Sequence, residues 1–303
     1  MKRQFQLSLA VMLTFLDTVH GQYYFYNSKY YNSPVLAEVG LSIGAFNCLT
    51  DLGGGKGPGK KLIKDLNIRN THVGGGVYAE ILFDQVFAFR GEFSFGKVSA
   101  SDEVLENDHS AARNRYYRNL QFRTNLTELS AIAEWLPLSL LNSENYPLVS
   151  PYVLAGAGLF KFNPQAFFRN RWVDLHPLRT EGQGFKEYPS RQPYKLTQLN
   201  FLAGLGIRYE VSAIFVAHLE VIYRLLRTDY LDDVSTHYID PEHFYSNLNV
   251  RDAAIAISLA DRSSELQPGM TNSQGQIRGN SANRDAYFSC NLKMGMLLNR
   301  KRR

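Results

Sequence analysis

His218 and Glu220 stand two residues apart, a spacing that puts both side chains on one face of an extended strand. A base beside a carboxylate is two thirds of a hydrolase triad, and a serine could complete it for acyl transfer on a lipid. The plainer use of the same pair is membership in an ion-pair network. No GxSxG elbow and no zinc-spaced histidine cluster occurs, and the seven histidines are scattered. No enzymatic role and no cofactor is therefore expected.

Three other groupings could carry chemistry. Asp229, Asp232 and Asp233 offer carboxylate oxygens suited to calcium, but without the spacing of an EF-hand. The alternative is a loop whose carboxylates cap backbone amides or pair with Arg227. Lys56, Lys60 and Lys61, in the glycine-rich run from Gly53, lack the GxxxxGK[ST] arrangement of a phosphate loop and read as exposed. Cys48 and Cys290 are the two cysteines. Barrel closure would place their strands side by side, with Cys48 near one end and Cys290 near the middle, a poor geometry for a disulfide.

The elements that must position these residues are strands. Hydrophobic residues make up 45% of the 303-residue chain and aromatics 13%, with 18 Tyr and 19 Phe, a composition that favours β structure over helical bundles. A formal charge of +5 is modest for this length and not gathered into a basic patch with stacking aromatics, so nucleic acid is not an expected partner.

Alternation defines eight segments. Val35, Ala37, Val39, Leu41, Ile43 and Ala45 share one face opposite Glu38, Gly40, Ser42 and Gly44. Val73, Val77, Ala79 and Ile81 oppose Tyr78 and Glu80; after a short connection over Phe83 to Val86, Phe87, Phe89, Phe93 and Phe95 oppose Arg90, Glu92 and Ser94. Leu129, Ala131, Ala133 and Trp135 oppose Glu128, Ser130 and Glu134, in a strand that ends at Pro137. The glycine-rich strand from Tyr152 to Phe162 leaves its faces unassigned. Leu199 to Tyr209 and Phe215 to Tyr223 form a second hairpin, with Arg208, His218, Glu220 and Arg224 on the charged face. Ala286 to Met294 completes the set, with Lys293 on that same face.

One face of nearly every segment carries charge while the other carries none. In hydrocarbon every backbone polar group must be paired, so strands cross a membrane only as a closed barrel with apolar residues outward. The expected fold is all-β: an eight-stranded antiparallel transmembrane β-barrel over residues 35–298 with long extracellular loops. A soluble barrel also alternates, but its apolar face points inward. Long links at Asn47–Asn70, Ser99–Asn119, Asn163–Lys195 and Leu225–Arg284 alternate with short ones, as outer loops alternate with periplasmic turns. Within the fourth loop, Val250 to Leu259 has the pattern of a short helix.

Eight strands enclose just enough space for side chains. Glu38, Glu80, Glu92, Glu128, Glu134 and Glu220 should therefore pair with Arg90, Arg208, Arg224, Lys293 and His218 in a solid polar core, since an unpaired buried charge is costly. That arrangement suits a scaffold better than a channel. Lys2 and Arg3 precede an apolar run from Phe5 to Leu16 and then Val19-His20-Gly21, which reads as a signal peptide over 1–21, with the mature chain starting at Gln22 and an N-terminal segment over 22–34. At the other end Arg300, Lys301, Arg302 and Arg303, in the tail 299–303, face the periplasm and could dock an acidic partner.

Several strings together resemble a known family. They are Arg118-Asn119-Leu120-Gln121-Phe122-Arg123; Pro151-Tyr152-Val153 leading through Gly156 and Gly158 to Phe162-Asn163-Pro164; Leu178 to Gly184, with Glu181, Gly182, Gln183 and Gly184; and Asp229-Tyr230-Leu231-Asp232-Asp233-Val234-Ser235-Thr236 with Tyr238. Their combination and order are similar to the PorG-like outer-membrane proteins of Bacteroidetes. The resemblance implies an integral barrel of the type IX secretion and gliding machinery, tethering a periplasmic ring of PorK- and PorN-like proteins to the outer membrane. The basic C-terminus departs from the terminal aromatic that many barrels present for insertion. The competing expectations are an OmpA-type structural barrel or surface adhesin, and a lipid-modifying enzyme built on His218.

Overall fold

Alternating polarity makes each strand two-faced, and the chain satisfies both faces by closing the sheet on itself. In a computed structural model the described residues are 30–31, 34–53, 70–106, 113–140 and 148–302. Eight long strands build the wall: β2 (Val35–Leu49), β3 (His72–Phe83), β4 (Phe87–Ser101), β5 (Gln121–Trp135), β6 (Val149–Lys161), β9 (Thr197–Glu210), β10 (Phe215–Leu226) and β11 (Ala286–Leu297). Each pairs antiparallel with its neighbour in the order β4-β3-β2-β11-β10-β9-β6-β5, and pairing of β4 with β5 closes the ring. The closed eight-stranded antiparallel barrel agrees with the alternation, and the strands run several residues past the segments that alternation marks.

Through the middle of the wall the outward set is apolar on every strand and exposed, with Leu41 at 66%, Leu205 at 65% and Leu219 at 51%, while Lys97, Arg123 and Lys161 share its parity toward the cap end. At ~3.3 Å per residue and a tilt of ~40°, the β10 ladder from Phe215 to Leu225 rises roughly 25 Å. Strand β6 hid its faces from the sequence because Gly156 and Gly158 occupy inward positions. Its outward residues are Val153 and Leu159, and its inward ones Tyr152, Leu154 and Phe160. A methyl group on Gly158 would stand 2.7 Å from Asn200 Oδ1, so the missing side chain makes room for its register partner on the adjacent strand β9.

At one end the links over 84–86 and 211–214 are short. Asp84 and Gln85 both adopt positive φ (46° and 60°) in a turn closed by the Val86 amide on the Phe83 carbonyl at 2.9 Å. At the other end the links fold into a cap. Strands β7 (Gln165–Phe168) and β8 (Arg171–Asp174) form a hairpin continuing from β5. Among the described residues the links also hold four short α-helices: α1 (Arg113–Arg118), α2 (Glu242–Asn247), α3 (Val250–Ala260) and α4 (Ser263–Leu266). Helix α3 matches the expected Val250 to Leu259. Its N-cap Asn249 accepts the Asp252 amide at 2.9 Å, and it buries Ala253, Ala256 and Leu259 against Phe185, Phe244 and Leu178. The cap thus has a small core of its own.

The chain end is pinned to the turn-side rim. Asn299 accepts from the Ala37 amide and donates to the Val35 carbonyl, both at 2.8 Å, and Lys301–Arg302 (β12) pairs with Tyr30–Tyr31 (β1). The expected signal peptide over 1–21, most of the segment 22–34, the Lys56–Lys61 stretch and Arg303 lie outside the described residues.

Candidate functional site: the sealed lumen and its cap

The inward faces of β3, β4, β5, β10 and β11 converge on Arg90. Its guanidinium meets Glu134 at 2.5 Å, Glu220 at 3.0 Å and Glu92 at 3.2 Å, with Glu80 farther at 3.9 Å. Lys293 bridges Glu92 and Glu220 at 2.5 and 2.6 Å. Beside this group Glu38 accepts from His218 Nε2 at 2.8 Å and from the Tyr78 hydroxyl at 2.6 Å, with Arg208 at 3.6 Å. Nearer the cap, Glu128 pairs with Arg224 at 3.0 Å and accepts from Tyr287 and Asn200, each at 2.5 Å. Every member of the expected luminal set is therefore inside, in two joined clusters and one separate one. Direct ion pairs between side chains from different strands make the network a cross-brace of the barrel.

Neutral side chains complete this network. Asn200 and Tyr287 lie on the charged face that alternation gives their strands, whereas Tyr152, whose hydroxyl donates to Glu220 at 2.9 Å, sits on the one strand whose faces alternation leaves unassigned. Glu210 was also passed over, since it lies at the strand end. It meets Arg208 at 3.1 Å and Arg300 at 3.0 Å.

Both ring nitrogens of His218 face partners: Nε2 meets Glu38, and Nδ1 lies 3.4 Å from the Tyr152 hydroxyl. The imidazole thus stands between a carboxylate and a phenol and holds Glu38 in place.

The lumen is not a uniformly polar core. On the turn side Leu36, Leu82, Val216 and Leu297 form part of an apolar cluster that continues up one wall through Ile132 and Ile222. Toward the cap lies a second apolar tier of Phe46, Val98, Phe122, Phe160 and Tyr287, into which the cap inserts Leu231 and Val234, 0% and 1% exposed. Charge alone could not fill the ends of the tube, where the strands carry large apolar residues on the inward parity. Apolar clusters thus lie on either side of the charged layer, while Arg208 and Glu210 carry a chain of ion pairs from Glu38 to Arg300 at the turn-side rim.

The cap interlocks the strings that carry the family resemblance. Glu181 accepts from the Ser235 and Thr236 amides at 3.0 Å each and from the Thr236 hydroxyl at 2.7 Å, and it pairs with Arg278 at 2.9 Å. Arg278 also donates to the Asp233 carbonyl at 2.7 Å and the Ala260 carbonyl at 3.1 Å. Its own carbonyl accepts from Arg118, which forks onto Asp102 at 2.8 and 2.9 Å. Gly182 and Gly184 sit at φ of +74° and +76°, open to glycine without strain. Gln183 accepts from the Glu181 amide at 3.2 Å. Tyr230 stacks on Tyr194, Tyr194 on Phe162 and Phe162 on Phe160, with centroid spacings of 4.9, 6.0 and 5.3 Å. This column ties the cap to the wall.

The acidic string does not gather as a cation site. Asp233 receives the Thr180 and Tyr194 hydroxyls at 2.5 and 2.7 Å, and Asp232 accepts the Val234 amide at 2.9 Å in a local turn. Among the described residues no three His, Cys, Asp or Glu side chains converge to hold a metal. Burial, reinforced by the neighbouring carboxylates, pushes the carboxyl of Asp229 up to about 9 and those of Asp232 and Asp285 well above the usual range. Asp233 rises only to about 6, because Arg278 and the two hydroxyls oppose its desolvation. Cys48 points inward, its thiol 3.6 Å from the Ser99 carbonyl, whereas Cys290 is exposed on the outer face, so the two thiols lie on opposite sides of the sheet.

Arg300 of the basic tail turns back onto the rim, reaching Glu210 and the Ala213 carbonyl at 3.1 Å. Lys301 and Arg302 follow in the β12 ribbon.

No family model matches the sequence, and no curated protein does. Among solved structures the chain is similar to Ail, the attachment invasion locus protein of Yersinia pestis, in complex with the heparin analogue sucrose octasulfate. Identity is 12% and the TM-score 0.36, over 86% of this chain and 99% of that one. It is also similar to the N-terminal β-barrel domain of Pseudomonas aeruginosa OprF, at 11% identity and a TM-score of 0.33 over 88% and 98%. A major outer membrane protein from Thermus thermophilus gives 13% and 0.34 over 86% and 99%. At these scores the barrel rests on its own strand register, which closes the ring through β4 and β5.

Proposed function

We propose that the chain is an integral outer-membrane β-barrel, without catalytic activity, that serves as an assembly component of type IX secretion and gliding machinery and tethers the periplasmic ring to the membrane. The apolar outer band, roughly 25 Å tall, supports the membrane setting. The observation that carries the scaffold reading is the lumen. A charged layer braced by Arg90 and Lys293, with apolar clusters toward both ends, packs the described interior with side chains, which favours the two rims as the working surfaces.

The type IX assignment rests on the resemblance of Leu178–Gly184 and Asp229–Thr236, strings whose residues bond one another across 54 positions of sequence. PorK- and PorN-like ring proteins would then meet the turn-side rim and the ribbon that ends in Lys301–Arg302. Affinity purification from mildly solubilised native membranes, with the tail intact and as Lys301→Ala/Arg302→Ala/Arg303→Ala, tests this. Ring proteins should accompany the intact chain and fall away from the variant; recovery of the barrel alone in both cases contradicts it.

A second reading, a structural barrel or adhesin working outward, is favoured by the cap's separate core of Phe185, Phe244 and Leu259. The backbones of Tyr238 and Gln276 meet at 2.9 Å, so residues 239–275 can be replaced by a short linker. Loss of cell-surface adhesion with secretion intact would select this reading.

A further inference from the structure

On the outer wall just below the cap, a groove of about 560 Å³ runs over β9, β10 and β11, lined by Phe201, Tyr223 and Leu225 below and by Arg227 and Arg284 above. A second hollow of about 360 Å³ adjoins it, shares Arg227 and adds Lys195. The strand register explains this arrangement. Lys195 precedes the start of β9, Arg227 follows the end of β10, and Arg284 precedes the start of β11, so three neighbouring strand ends each carry one cation. Leu225, outward on β10 beside Phe201 of β9, lies just below Arg227. Adjacent strands stand ~4.8 Å apart, which brings the three cationic side chains within reach of one polyanionic group.

All three are exposed, and among the described residues none of their side chains makes an ion pair. The one acid lining the groove, Asp285, is 3% exposed and accepts the Leu231 amide at 2.8 Å. Burial, with Asp232 and Asp229 close by, pushes its carboxyl well above the ordinary range, so it sets no full negative charge against an anion. Elsewhere the structure spends its buried cations on carboxylates. Here three exposed cations, without ion pairs among the described residues, stand over an apolar floor.

We propose that this groove binds a phosphorylated, acylated lipid of the outer leaflet, its phosphates on Arg227, Arg284 and Lys195 and an acyl chain along Phe201, Tyr223 and Leu225. Guanidinium forks match phosphate oxygens in charge and geometry, and the aromatic and leucine side chains match a hydrocarbon chain. The inference rests on the membrane setting proposed above and adds a ligand to it.

The test uses the full mature chain folded in detergent micelles, compared with Arg227→Gln/Arg284→Gln and with the control Lys97→Gln on the opposite wall. Probes are diphosphorylated lipid A, dephosphorylated lipid A, phosphatidylcholine and inorganic phosphate, with retention read by native mass spectrometry. Wild type and control should retain diphosphorylated lipid A about tenfold or more tightly than the double variant does. Neither dephosphorylated lipid A nor phosphatidylcholine should replace it, and inorganic phosphate should not compete. Equal retention by the double variant overturns the proposal, as does equal binding of the dephosphorylated lipid. Competition by inorganic phosphate assigns the site to a free anion and overturns the lipid. Failure of the chain to give a heat-modifiable folded band in vesicles would instead defeat the membrane reading beneath it.

Discussion

Arg90 on β4 and Glu220 on β10 meet at 3.0 Å across the lumen, although 130 residues separate them in the chain. A bond of that span forms only once the ring has closed, so it reports on the closed state. Arg90→Met should cost about 3–5 kcal/mol by leaving Glu134 and Glu220 short of a buried counter-charge. Adding Glu220→Gln should recover part of that loss. Urea titration in vesicles, read by the gel shift between folded and boiled forms, checks both. A double variant as unstable as the sum of its parts would show that the two side chains do not act together.

Glu80 should behave differently. Its nearest cation is Arg90 at 3.9 Å, and its Oε2 accepts no hydrogen bond among the described residues. Glu80→Gln keeps the volume and removes a poorly compensated charge, so its effect should stay within about 1 kcal/mol or be stabilising. Glu134→Gln, which loses a 2.5 Å contact to Arg90, should cost more. The same titration ranks the two.

The cap should loosen as pH rises. Asp229 titrates near about 9 and Asp233 near about 6 when folded, raised first by burial, whereas a free aspartate titrates near ~3.9. Between those values the folded cap binds more protons than the unfolded one, so its stability is complete below pH ~4 and declines toward pH ~9. Digestion with a protease active across this range should cut within 229–285 faster at pH 9 than at pH 6, with the barrel intact at both. Asp229→Asn should flatten the dependence. Equal cutting at the two pH values would place ionised carboxyls in the cap.

Glu181 and Arg278 should be the latch of the cap. Glu181→Ala strands a buried guanidinium and frees two amides, which should expose the Asp229–Thr236 loop to protease while the gel shift of the barrel persists. Loss of the gel shift would mean that cap and wall fold as one unit.

The wall was legible because its two faces differ so sharply. Leu219 and Glu220 announce outside and inside in adjacent positions, and seven of the eight strands repeat that contrast. Strand β6 kept silent since glycines on its inward face leave nothing to alternate. The charged lumen followed from parity, but the apolar clusters did not, because Phe46 and Phe160 look like any other strand aromatics until closure turns them inward. Most of the cap was illegible. Arg278 lies in a long loop without periodicity, and only folding brings it 97 residues back to Glu181. Of the cap, the sequence marked only helix α3, by its repeating apolar face, and the Glu181 and Asp229 strings, by resemblance.

Cys290 offers the most direct test of the claim that the uncharged face of the barrel meets lipid. Its thiol is exposed on the outer wall, flanked on the same strand face by Phe288 and Leu292 and set against Val221 and Ala45 on the neighbouring strands. In a Cys48→Ala variant folded in vesicles, a membrane-permeant maleimide should label Cys290. A charged, impermeant one should fail until the chain is unfolded. Rapid labelling of folded Cys290 by the impermeant reagent would put that face in water and contradict the account.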